Sequence, residues 1–113
     1  MGIAAGRSNY VIYAVVLNAH PDIVKLGRAS NWKSRKKAYE NWNLSLGDGI
    51  LESIAYCITE EWVNLPSLEE ACLSAMNTRP YRGREWFKAS FDHAKSAIED
   101  TIQTAELSYI EWE

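Results

Sequence analysis

Four side chains early in the chain have types and spacing suited to proton transfer and phosphate binding: Tyr13, Lys25, Arg35 and Tyr39. Arginine presents a planar, permanently charged fork that matches phosphate oxygens. A phenol ordinarily ionises at a pKa of about 10, and a cation placed beside it favours the phenolate. Arg35 and Tyr39 lie four residues apart, so on a helix they share a face, one turn from each other. Trp32 and Trp42 flank them on that stripe. The same residues also have an ordinary reading. Arg35 and Tyr39 suit the surface of an amphipathic helix, and Tyr13 suits a strand core. The chain carries no Ser-His-Asp array, no glycine-rich phosphate loop and no metal-ligand spacing. His20 and His93 stand alone, and Cys57 and Cys72 read as two small buried hydrophobes.

The elements that must position these groups follow from the pattern. Residues 9–17 are β-branched and aromatic and predict a strand buried on both faces. Asn18 to Asp22 predicts a turn, and Ile23 to Leu26 a second short strand stopped by Gly27, together an antiparallel hairpin. Ser30 is the expected cap of a helix from Asn31 to Trp42. A loop follows over 43–49, then a third strand over Ile50–Thr59. Ser67 and Glu70 have the spacing of a capping box, and Leu68, Ala71, Cys72, Ala75 and Met76 form one apolar helical face. A basic loop spans Asn77 to Arg84, and a last helix is expected over Phe91–Glu106. Glu85 to Phe87 reads either as a short strand or as the lead into that helix, while residues 107–113 have no clear assignment. The order β-β-α-β-α-(β)-α predicts one small α/β domain over residues 1–113, with its core at about 9–106.

Composition narrows the class. With 113 residues, 47% hydrophobic and 24% charged, the chain has the usage of a single globular domain. The longest apolar run, Val11–Leu17, is far short of the roughly 20 residues of a membrane helix. Residues 1–8 are too short and too rich in Gly and Ala for a signal peptide, so a cytoplasmic location with no membrane partner is expected. The net charge of −3 conceals a strong asymmetry. Residues 25–37 hold six bases and no acid, and residues 79–88 hold four more bases against Glu85 alone. From Ala89 onward there is one base, Lys95, against six acids. Local potential rather than net charge steers a polyanion.

Four short motifs in order resemble the GIY-YIG nuclease superfamily. Val11-Ile12-Tyr13 stands at the Gly-Ile-Tyr position. Eleven residues intervene before Lys25-Leu26-Gly27, which stands at the Tyr-Ile-Gly position. Arg35 falls where the family has its helix arginine, and Tyr39 where it has His or Tyr. Gly83-Arg84-Glu85-Trp86-Phe87 is similar to the Gly…Glu-Trp-Phe element of the compact phage-type branch, whose second motif usually reads Lys-Ile-Gly. The likeness covers about residues 10–90. Two positions depart from the superfamily pattern: Val11 replaces the first Gly, and Lys25 replaces a Tyr. A His often seen after the helix Glu in that branch is also missing.

The resemblance implies a small, mostly antiparallel three-stranded sheet flanked by helices, and a metal-dependent endonuclease acting on DNA. It implies Tyr13, Lys25, Arg35, Tyr39 and Glu69 as catalytic residues. Tyr13 would accept a proton from water, Arg35 bind phosphate and Tyr39 orient water or phosphate. Glu69 would be the ligand of one Mg²⁺ or Mn²⁺. Glu69 is favoured over Glu70 because it borders the apolar helix face, whereas Glu70 is assigned to the capping box. Arg28, Lys33, Lys36, Lys37, Arg79, Arg82 and Arg84 are the expected backbone contacts to nucleic acid. Lacking a separate DNA-binding module, such a chain is expected to act on structured DNA, with a protein partner, or as a homodimer. The alternative is a module that keeps the fold and binds DNA or protein without catalysis. Trp86 and Phe87 are expected in the core, and Glu85 either pairs with a loop arginine or joins the site.

Overall fold

The computed structural model describes residues 11–41, 49–60 and 62–112. Residues 9 and 10 of the expected first strand, the helix end at Trp42, and the loop over 43–48 lie outside them. The described chain is an α+β fold: five strands and three helices in the order β-β-α-β-α-β-α-β. The strands are β1 (Val11–Leu17), β2 (His20–Ala29), β3 (Ile50–Ile58), β4 (Trp86–Phe87) and β5 (Tyr109–Trp112). The helices are α1 (Trp32–Glu40), α2 (Leu65–Ala75) and α3 (Phe91–Thr104). All strands pair antiparallel in one sheet, ordered β4-β2-β1-β3-β5. The expected three-stranded sheet, β2-β1-β3, is therefore the centre of a wider one.

Central strand β1 is buried along its whole length, as its unbroken β-branched and aromatic run requires. Its alternate residues feed two cores. Ile12, Ala14 and Val16 pack with Val24, Leu26, Tyr56, Ile58, Phe87 and the apolar faces of α2 and α3. Val11, Tyr13, Val15 and Leu17 pack on the opposite face with Trp32 and Tyr39 of α1. The molecule is a three-layer sandwich, with two helices on one side of the sheet and α1 on the other.

Several boundaries differ from the sequence reading. The β1–β2 turn is only Asn18–Ala19, and β2 begins at His20. Pro21 is tolerated because β4 covers only Val24 and Lys25, so no ladder donor is needed at the outer start of β2. Gly27 does not stop the strand. It pairs with Tyr13, and a Cβ there would stand 2.7 Å from the Tyr13 hydroxyl oxygen. This glycine makes room for the tyrosine.

The helix caps shift as well. Asn31, not Ser30, caps α1 by accepting from the Ser34 N–H at 3.1 Å. Asn64 caps α2, accepting from the Ser67 N–H at 3.0 Å, with Pro66 in the first turn. Ser67 is thus inside the helix, the expected Ser67/Glu70 capping box does not form, and Glu70 instead pairs with Arg84. Helix α3 starts at a Ser90 cap, with Asp92 favourably placed in its first turn. The last residues, unassigned from sequence, form β5 against β3. No helix among the described residues is long and apolar enough to cross a membrane.

Candidate active site

Tyr13, Gly27, Arg28, Arg35, Glu69 and Glu85 line one cleft of about 220 Å³. It opens where the two-residue strand β4 ends: Leu26 N–H still donates to the Glu85 carbonyl at 3.0 Å, but on that edge no strand among the described residues continues alongside Gly27–Ala29. Through that gap, groups belonging to opposite faces of the sheet meet. Tyr13 and Arg35 come from the α1 side, and Glu69 from α2 on the other.

The Tyr13 hydroxyl is the most heavily contacted atom of the site. Arg35 Nη1 donates to it at 3.2 Å and Lys25 Nζ at 3.4 Å, and it shares a 2.8 Å hydrogen bond with the Tyr39 hydroxyl. Register and helix period explain the convergence. Tyr13 faces Gly27, so Lys25 is its diagonal neighbour on the same face of the hairpin, within reach of a long side chain. Arg35 and Tyr39 descend from α1 one turn apart. The Tyr13 ring is fixed by Trp32 at a centroid distance of 4.9 Å and by Tyr39 edge-on at 6.0 Å.

The Tyr13–Tyr39 hydrogen bond can run either way. With Tyr13 neutral, its proton points to Tyr39 and its two lone pairs accept from Lys25 and Arg35. With the proton gone, all three neighbours donate. Burial, and then the adjacent Tyr13, pushes the Tyr39 pKa up to about 12, which keeps Tyr39 protonated and available as a donor. Burial works against the Lys25 charge, but Tyr13 and the 2.8 Å Glu85 contact outweigh it and raise its pKa. Arg35 is likewise held charged, chiefly by its hydrogen bond to Tyr13.

Two carboxylates complete the cleft. Glu69 has only 12% of its side chain exposed and accepts from Arg28 Nε at 3.2 Å. Burial, and then the like charge of Glu85, raises its pKa despite the opposing Arg28. Glu70 is more than half exposed, pairs with Arg84 and does not line the cleft. The donors present fit a hard cation such as Mg²⁺. The cleft supplies carboxylate oxygens, and a cation would relieve the penalty on charged Glu69. Among the described residues no group of three or more His, Cys, Asp or Glu is assembled, so such an ion would be held by Glu69, with Glu85 beside it, and otherwise by water.

The remaining expected contacts divide. Arg28 belongs to the cleft and Arg84 to the Glu70 pair. Lys33, Lys36 and Lys37 line a separate hollow on the far side of α1. Arg79 and Arg82 are exposed in the loop before β4. Phe87 is buried in the core, whereas Trp86 is half-buried, with Lys25 Nζ 5.9 Å from its ring centroid. Both cysteines are buried thiols outside any disulfide among the described residues, and burial lifts the Cys72 thiol to about 12, away from nucleophilic use.

One site feature escaped the sequence reading: Gly27 acts by close approach. Of the two readings left open for Glu85, the second holds: it lines the cleft, pairing with Lys25 and not with a loop arginine. The Gly27–Tyr13 pairing needed the short turn, which Pro21 conceals. No family model, curated protein or solved structure was found to match this chain.

Proposed function

We propose that the chain is a metal-dependent endonuclease that hydrolyses phosphodiester bonds in DNA. The observation that carries this reading is the Tyr13 hydroxyl, contacted by Arg35, Lys25 and Tyr39 in the cleft that also holds Glu69. Phosphodiester hydrolysis needs an activated water, compensation for charge on phosphorus, and help for the leaving oxygen. Arg35, exposed at the cleft, binds and orients the scissile phosphate. Lys25, Arg35 and Tyr39 supply the three hydrogen bonds that stabilise Tyr13 as a phenolate, and the phenolate takes a proton from the attacking water and becomes a neutral phenol. Tyr39 stays protonated throughout. A bound Mg²⁺ or Mn²⁺ would offset charge on the phosphate and stabilise the leaving oxygen. Glu69, joined by Glu85, would hold it, and Arg28 would leave Glu69 for a substrate phosphate. Arg28 is suited to that exchange because 46% of its side chain is exposed.

The test is nicking of supercoiled plasmid with Mg²⁺ or Mn²⁺ by the parent protein beside Glu69→Gln and Glu70→Gln. The expected result is metal-dependent nicking that Glu69→Gln abolishes and Glu70→Gln retains. Nicking that depends on Glu70 alone would overturn the assignment. One observation favours a second reading, a DNA-binding module without catalysis: Glu69 is already engaged by Arg28. Salt-sensitive DNA binding with no nicking under either metal would support that reading instead.

A further inference from the structure

One row of paired residues crosses the sheet beneath α1: Gly27, Tyr13, Ala55 and Trp112. The cleft lies at the Gly27 end. At the other end, between α1 and β5, is a second hollow of about 800 Å³, within the range of small-ligand sites. Trp32 and Trp112 border it, together with Lys33, Lys36, Lys37 and Glu40. These four charged residues recur at i, i+3, i+4 and i+7, a stripe turned well away from Arg35 and Tyr39 on the same helix. Among the described residues no ion pair engages the three lysines. Glu111 also borders the hollow, but strand alternation turns its carboxylate to the opposite face, where it acts on Tyr56.

We propose that this hollow binds an unpaired stretch of nucleic acid, with a base against the Trp112 indole and its phosphates on Lys33, Lys36 and Lys37. Indole supplies a sequence-tolerant stacking surface and lysine a compact cation, the pairing of groups that grips single strands. A duplex keeps its bases stacked inside and offers the hollow only phosphates. The preferred substrate is therefore DNA with unpaired nucleotides beside the duplex, such as a flap or branch. Trp32 ties the two sites together, bordering the hollow while stacking on Tyr13. The choice of nucleic acid as occupant rests on the function proposed above, but binding at the hollow does not depend on cleavage at the cleft.

The experiment is a fluorescence anisotropy titration in EDTA with a short labelled single-stranded oligodeoxynucleotide. The competitors are the matching blunt duplex, deoxyadenosine monophosphate and inorganic phosphate. The parent is expected to bind the single strand, and Trp112→Ala to weaken it by about 10-fold or more. Trp112→Phe, which keeps an aromatic face and the packing, is expected to stay within about threefold of the parent. Lys33→Ala with Lys37→Ala should lower the single-strand salt slope by about 1.4. Single-strand binding that Trp112→Ala leaves unchanged, or displacement by inorganic phosphate as strong as by the strand itself, would overturn the proposal. A parent that nicks plasmid but binds no single strand overturns this site alone. A parent that binds the single strand through Trp112 but never nicks overturns only the catalytic reading.

Discussion

Glu69 carries a cost that its surroundings only partly offset. Its pKa is raised by burial and by Glu85, so the folded state binds its proton more tightly than the unfolded chain does. Stability from this group is therefore lost as pH rises from the ordinary glutamate range through the raised folded value. Glu69→Gln is expected to melt at or above the parent temperature at pH 7, with the gap closing toward pH 4. Thermal unfolding across that range checks the sign, and a neutral-pH loss of stability in Glu69→Gln would contradict it. The same proton competes with a metal, so metal-dependent activity should fade on acidification at a higher pH than for an ordinary glutamate. Glu85→Gln should move that acid limb to lower pH. At this scale the sequence was informative about residue types but not about partners. Tyr13, Arg35 and Glu69 were readable as candidates. The Arg28–Glu69 and Lys25–Glu85 pairs were not, because each joins residues more than 40 positions apart.

The elements position the site through two small details, the glycine opposite Tyr13 and the asparagine caps. Gly27→Ala inserts a methyl group into the Tyr13 hydroxyl, and the ring cannot yield freely between Trp32 and Tyr39. Overpacking of this kind costs about 1–3 kcal/mol, and displacing a reacting group by about 1 Å costs on the order of 100-fold in rate. Chemical denaturation and nicking rates measure the two effects separately, and a Gly27→Ala protein with parental rates would contradict the account. Asn31→Ala and Asn64→Ala should each lose about 1 kcal/mol of stability, while Ser30→Ala and Ser67→Ala should stay within about 0.5 kcal/mol. The unbroken apolar run of β1 and the periodic apolar face of α2 were legible in the sequence because their burial pattern is written in residue type. The caps were misread by one to three positions. Asn and Ser crowd both helix starts, and only the backbone angles decide which side chain accepts. Strand β5 was missed because four half-exposed residues carry too little alternation to separate a strand from a tail.

Among the described residues the basic groups fall in two places, one beside the cleft and one on the far side of α1. The exposed Arg79 and Arg82 loop leads into β4 beside the cleft, and the α1 lysines lie beyond it. A duplex whose phosphate enters the cleft would meet that loop. Arg79→Ala with Arg82→Ala should therefore lower the salt slope of duplex binding by about 1.8, which a titration at several salt concentrations reads directly. An unchanged slope would exclude that loop from the footprint. The acids after Ala89 do not oppose this surface as a free tail. Most lie on α3 and β5, where Glu99, for example, accepts from the Tyr56 hydroxyl at 2.8 Å on the far side of the sheet. Net charge was a poor guide for that reason: the sheet separates acidic and basic groups that the composition adds together.

The central claim concerns one oxygen atom, and Tyr13→Phe tests it most directly. The substitution keeps the ring that packs against Trp32 and removes only the atom contacted by Arg35, Lys25 and Tyr39. Single-turnover plasmid nicking would be measured beside the parent, with unfolding curves to hold stability within about 2 kcal/mol. The account predicts a fall of about 100- to 10,000-fold in rate. A Tyr13→Phe protein that nicks within about threefold of the parent would contradict it, since general-base assistance is worth far more than that.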